Sequence, residues 1–269
     1  MRAYRVRVDA TDEDLTTAAL WEAGTAGIEV RAEPGGRVVL LAYFEGTAVP
    51  TALPPGAAVE PIDVPDVDWV ARFREGFRAF SAGGFRIVPA WEPAAGDDRR
   101  TLRVDPGRAF GTGTHETTRL CLGALERLAS RRRLGRTLDL GAGTGLLAVA
   151  AARLGASPVV ASDLDPEASA SSRAHAALNG APLLVVRADG ARGLRPGSFD
   201  LVLANLMALL LVDRAEEILS LLAPGGGLVL SGILEADAGA VEEAFSARGR
   251  PTRLVEGEWT ALVYEGEPA

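Results

Sequence analysis

The sequence predicts an α/β protein: a doubly wound, mainly parallel sheet covered by helices on both faces, preceded by a small α/β domain. Three observations carry this prediction. From Arg136 onward, short apolar runs alternate with segments of helical periodicity. Those runs are apolar at nearly every position, as in strands buried on both faces. The first 64 residues have a different pattern, with apolar and charged residues alternating, and residues 47–65 carry five prolines before the pattern changes.

In chain order, Tyr4, Val6 and Val8 alternate with charged residues, as in a half-buried strand. The cluster Thr-Asp-Glu-Asp at 11–14 opens a helix running to Ala23, with acids in its first turn. Residues 28–31 and 37–44 read as strands around the turn "EPGG". The proline-rich stretch reads as extended, mostly loop. Next, Trp69, Phe73, Phe77 and Phe80 are spaced four, four and three apart, which places them on one face of a helix. We expect residues 1–64 to form one domain, 65–82 a linker helix and 83–269 the larger domain. The aromatic stripe would pack against core or, alternatively, contact substrate.

In the larger domain "RTLDL", "PVVASD", "PLLVV", "FDLVLAN" and "GGLVLSGI" read as strands. "TGLLAVAAARLG", "PEASASSRAHAALNG", "ALLLVDRAEEILSLL" and "EADAGAVEEAFSARG" read as helices, and "TRLVEGEWTALVYEG" as a hairpin. Proline opens the second of those helices and Asn-Gly closes it.

Composition narrows the function. A hydrophobic content of 48% suffices for a sizeable core. A net charge of −8 opposes a general nucleic-acid or anionic membrane partner and is compatible with a basic protein. The single cysteine, Cys121, excludes an intramolecular disulfide and a multi-cysteine metal cluster. There is no apolar run of membrane-spanning length and no signal-peptide pattern, so the expected location is cytoplasmic.

In a doubly wound sheet, ligands sit at the carboxyl ends of the strands. That rule puts "GAGTG", "SDLD" and "LAN" on one rim, since each follows a strand. Gly141, Gly143 and Gly145 are spaced G-x-G-x-G, with Leu146 where a dinucleotide fold has its third glycine. The turn is tight and lets a ligand approach the backbone, but it is a poor pyrophosphate cradle. Asp163 ends the next strand, where a carboxylate accepts bonds from ribose hydroxyls. A nucleoside without a diphosphate fits both features, and S-adenosylmethionine is the common ligand of that kind. Asn205 ends an apolar strand. Its amide suits the positioning of a nucleophilic amine, although it could simply cap the following helix.

Along nearly its whole length the chain resembles the PrmA family, the bacterial methyltransferases of large-subunit ribosomal protein eleven. The motifs that carry the resemblance are "FGTGTHETT", "LDLGAGTGLLA", "SDLDPEA", "ALNG", "LANL", "LAPGGGLVLSGIL" and "GEW", in that order. "FGTGTHETT" is the most specific, because glycine turns are shared by many methyltransferases. The resemblance implies a class I, Rossmann-like methyltransferase domain of seven strands, preceded by a small ferredoxin-like domain for substrate recognition. It implies S-adenosylmethionine as donor and methylation of lysine and N-terminal amines of that ribosomal protein. It also implies cofactor contacts at Thr118, Gly141, Asp163 and Asn205; the glycine turn adds Gly143 to them, and the reading of its amide makes Asn205 the candidate catalytic residue. The chain departs from the family at Phe73, usually a second tryptophan, and in its proline-rich stretch, where a second helix would be expected.

The loop at 108–118 is expected to fold over the donor. Within it His115 is a candidate base, or else a residue that holds the loop by hydrogen bonding. Two other functions remain open on the sequence: a methyltransferase of another protein or a small molecule, and, from a different class, a nicotinamide-binding oxidoreductase or a protein that binds S-adenosylmethionine without catalysis.

Overall fold

The computed structural model of the chain describes residues 2–25, 27–44, 53–62, 76–92, 99–107 and 109–266. The chain divides into two compact units, Met1–Arg72 and Phe73–Ala269.

The first unit contains β1 (Arg2–Asp9), α1 (Glu13–Glu22), β2 (Gly27–Glu33), β3 (Arg37–Phe44) and β4 (Ala58–Ile62). Its sheet has the order β2-β3-β1-β4, with every neighbouring pair antiparallel. Val6, Leu20, Leu40 and Phe44 are fully buried and form its core. β4 falls in the stretch expected to be mostly loop. Pro61 lacks an N–H but is tolerated there, because β4 is an edge strand. Among the described residues this unit has one α-helix.

The second unit opens with a three-stranded sheet of β5 (Phe80–Ala82), β6 (Phe85–Pro89) and β7 (Thr101–Val104). The helix expected through residue 82 is corrected here, since Phe80 begins a strand. The physical reason lies in Gly83 and Gly84, both with positive φ, which close a two-residue hairpin between β5 and β6. Phe77 and Phe80 still touch, edge to face at 5.8 Å. Trp69 and Phe73 lie outside the described residues. α2 (Glu116–Ala129), with Cys121, Leu122 and Leu125 buried, packs over this hairpin. A Cβ on Gly83 would stand 2.3 Å from the Gly123 nitrogen.

The main sheet alternates with helices as its sequence pattern predicts. In chain order it runs β8 (Thr137–Leu140), α3 (Leu146–Arg153), β9 (Val159–Asp163), α4 (Pro166–Leu178), β10 (Leu183–Arg187) and β11 (Phe199–Asn205). It continues with α5 (Ala208–Asp213), α6 (Ala215–Leu221), β12 (Leu222–Leu234), α7 (Ala238–Ala244), β13 (Thr252–Glu256) and β14 (Trp259–Tyr264). The spatial order is β10-β9-β8-β11-β12-β14-β13. The first five of these are parallel, and β14 is antiparallel to both its neighbours. Along β11, Leu201 and Leu203 enter one core cluster while Val202 and Ala204 enter the other, and all four are fully buried. This two-sided burial is the reason the strand reads as a continuous apolar run.

Two expected helices are interrupted. The one at 208–222 breaks at Arg214, whose guanidinium pairs with Asp189 at 2.7 Å. The one at 235–249 is α7 flanked by short 3-10 turns.

Candidate active site

Strand order reverses at β8, whose neighbours β9 and β11 lead the chain outward in opposite directions. A crevice opens at the carboxyl ends of the strands at such a point. The crevice here is an open cleft of about 410 Å³, bordered by Phe110, Thr118, Gly141, Asp163, Asn205 and Arg214. The loop before α2, the turn after β8 and the ends of β9 and β11 therefore meet at one place, as their order along the chain predicts.

The glycine turn is tight mainly because the protein itself closes on it. Gly141 and Gly143 have φ of 72° and 54°. A Cβ on Gly143 would lie 2.3 Å from the Phe110 carbonyl oxygen, and one on Gly141 2.5 Å from Leu206 Cδ2. Thr144 then fastens the preceding loop to the turn. Its N–H donates to the Phe110 carbonyl at 2.9 Å and its hydroxyl to the Gly111 carbonyl at 2.7 Å. "FGTGT" and "GAGTG" form one hydrogen-bonded layer at the cleft.

His115 ends that loop and caps α2, its Nδ1 accepting from the Thr117 N–H at 3.3 Å. The imidazole stands edge-on between Phe110, at 5.4 Å between centroids, and Trp259, at 4.9 Å. Arg119 binds the Thr114 carbonyl, Glu116 at 2.9 Å and Glu256 at 2.6 Å, which ties the loop to the strand preceding Trp259.

The Asp163 carboxylate is held by two backbone bonds, from Gly143 N–H to Oδ2 and from Asp165 N–H to Oδ1, each 2.9 Å. A carboxylate has about four acceptor positions, so others remain for a ligand. Thr118 is fully buried and its hydroxyl oxygen has no hydrogen-bond partner. Asn205 donates from Nδ2 to Thr117 Oγ1 at 3.3 Å, while its buried Oδ1 has no partner. Leaving a buried polar atom unpaired costs about 1–3 kcal/mol. With the Ser162 hydroxyl, three such atoms belong to residues lining one cleft, which suits a site built for a polar ligand.

One residue was missed by reasoning from sequence. Asp139 lies inside β8, buried, with Oδ2 accepting from the Ala148 N–H at 3.0 Å. Burial pushes its carboxyl up to about 8, and the charge of Asp163 adds to the rise. The signal was available, since an acid inside an otherwise apolar two-faced strand needs a specific partner.

A seven-stranded sheet with this order, a glycine turn after its first strand and an acid at the end of its second define a class I methyltransferase-like fold. The family model for ribosomal protein L11 methyltransferase (PrmA) matches residues 52–267. The ribosomal protein L11 methyltransferase of Geobacter sulfurreducens is 45% identical over 208 residues, 75% of this chain and 67% of that protein. That of Geobacter metallireducens is 43% identical over 204 residues, 74% of this chain and 66% of that protein. Among solved structures, the ribosomal protein L11 methylase of Lactobacillus delbrueckii subsp. bulgaricus matches with a TM-score of 0.62 at 31% identity. That match covers 70% of this chain and 97% of the other. The chain belongs to the ribosomal protein L11 methyltransferase family, a family of protein methyltransferases. The matched stretch spans about two thirds of the length of the two Geobacter relatives.

Proposed function

We propose that the chain transfers methyl groups from S-adenosyl-L-methionine to lysine side-chain and N-terminal amines of large-subunit ribosomal protein eleven, free or on the ribosome, in the cytoplasm. The observation that carries this reading is Asn205, its side-chain oxygen buried and unpaired, at the end of β11 on the cleft that Asp163 and the glycine turn also line. In this reading Asp163 holds the ribose hydroxyls and Gly141 and Gly143 shape the floor. The Thr118 hydroxyl meets the methionine end. The buried unpaired oxygens, the strand-end carboxylate and the cleft volume all fit that donor.

The bound donor supplies a methyl group on a positively charged sulfur. The chain supplies position, because a direct displacement moves charge from sulfur to nitrogen and needs little acid–base help. The amine must arrive neutral, which for a free lysine of pKa about 10.4 costs roughly 4.6 kcal/mol at pH 7. A cleft walled by Phe110, Leu206 and Leu210 disfavours the charged amine by desolvation. Asn205 Oδ1 then accepts an amine N–H and turns the lone pair toward the methyl group.

We read the first unit as a ferredoxin-like module that recognises the substrate. Its strand order and antiparallel pairing support this, although it has one α-helix among its described residues. Calorimetric titration with S-adenosyl-L-methionine and with NAD tests the donor. Binding of the first alone is expected, and binding of NAD alone would favour an oxidoreductase.

A further inference from the structure

The motif "THETT" at 114–118 holds a hydrogen-bond chain that ends on Asn205. His115 Nδ1 lies 2.9 Å from Thr117 Oγ1 and accepts the Thr117 backbone N–H at 3.3 Å. A backbone N–H can only donate, so Nδ1 is the unprotonated nitrogen of the ring. With Nδ1 unprotonated, the 2.9 Å contact to Thr117 Oγ1 is a hydrogen bond when the hydroxyl donates, sharing the single lone pair with the backbone N–H. With its proton committed, Thr117 Oγ1 has only lone pairs left for Asn205, whose amide stands 3.3 Å away. The group facing it must be the NH₂, which sets the amide orientation by elimination. Oδ1 is left on the other side of the amide, buried and unpartnered, in a residue that lines the cleft. The first member of the chain is itself fixed, because the His115 ring stands between Phe110 and Trp259.

We infer that His115 and Thr117 are positioning residues that lock the Asn205 amide with its oxygen toward the incoming amine. His115 thus acts through its Nδ1 lone pair rather than as the base for the substrate proton. The inference rests on Asn205 being the amine acceptor. Without the Thr117 hydroxyl the amide could rotate, presenting an N–H to a nucleophile whose own N–H groups need acceptors. Thr117 is 1% exposed, so its hydroxyl contacts this chain rather than solvent.

Thr117→Val keeps the shape and removes the hydroxyl, while Thr117→Ser keeps the hydroxyl. With the full chain, S-adenosyl-L-methionine and unmethylated ribosomal protein eleven, Thr117→Val should lower kcat about tenfold, the size of one lost hydrogen bond. Donor affinity and thermal midpoint should change little, and Thr117→Ser should restore most of kcat. The double variant Thr117→Val/Asn205→Ala should be no slower than Asn205→Ala alone, because Thr117 acts only through Asn205. If Asn205→Ala lowers kcat but Thr117→Val does not, or if the two losses multiply, the relay is wrong while the proposed activity stands. If Asn205→Ala leaves kcat unchanged, the amine-acceptor reading itself fails.

Discussion

Asp163, at the end of β9, and Asp139, inside β8, are carboxylates of two neighbouring strands placed in opposite environments. Asp163 is partly exposed and its two backbone bonds fix its direction, which suits a carboxylate that grips ribose. Asp163→Ala removes charge-assisted bonds of about 1.5–3 kcal/mol, so donor affinity should fall about tenfold to a hundredfold. Unchanged affinity by titration calorimetry would take Asp163 out of the site. Asp139 is buried and its carboxyl is raised to about 8. The folded chain therefore keeps a proton that the unfolded chain releases near pH 4, and the stability this group contributes is lost as pH rises through that window. Asp139→Asn keeps an acceptor for the Ala148 N–H and removes the titration. The variant's thermal midpoint, relative to wild type, should rise more at pH 8 than at pH 5. An equal difference at both pH values would mean that Asp139 is already ionised in the fold. Asp163 was legible in the sequence because it follows a strand and faces the rim. Asp139 was legible only as an acid inside an apolar strand that needs a partner, because the partner itself, the Ala148 N–H on α3, depends on how helix and strand pack.

Elements whose character comes from two-sided burial were legible, and elements fixed by one or two side-chain bonds were less so. The strands from β8 to β12 and helices α3 and α4 stand where their apolar runs place them. β7 was not expected, and its position depends on Asn179 at the end of α4. The Asn179 side chain accepts from the Arg103 N–H at 2.8 Å and donates to the Arg103 carbonyl at 2.9 Å, pairing with β7 as another strand would. "ALNG" thus does more than end a helix. Asn179→Ala strips two backbone groups of buried partners and should destabilise the fold by about 2–4 kcal/mol, read as a shift of the urea midpoint. A loss under about 0.5 kcal/mol would show that water replaces the amide, as surface substitutions of that size suggest. The helix boundary at residue 82 misled for a related reason. Phe80 opens a strand, and the Gly-Gly pair after Ala82 was the better signal for the hairpin there.

The whole molecule comprises two compact units, and every residue of the candidate site belongs to the second. A chain lacking residues 1–64 should therefore bind S-adenosyl-L-methionine within about tenfold of the full chain, roughly 1.4 kcal/mol, yet methylate ribosomal protein eleven hardly at all. The fragment must first show a cooperative thermal transition. A folded fragment that methylates at the full rate would place substrate recognition in the second unit. The site motifs all follow residue 108 and say nothing of what the first unit holds, so its role in substrate recognition was legible only through the family resemblance. The central claim is that one cleft brings donor and amine together, with Asn205 as the acceptor. Mass spectrometry of unmethylated ribosomal protein eleven, incubated with S-adenosyl-L-methionine and either the wild-type chain or Asn205→Ala, tests it most directly. The account predicts whole-methyl mass increments on lysine and N-terminal amines with wild type. With the variant it predicts a rate lowered by more than the accompanying loss of donor affinity. A wild-type chain that binds the donor and adds no methyl group to this protein, or a variant that adds them at the wild-type rate, would contradict it.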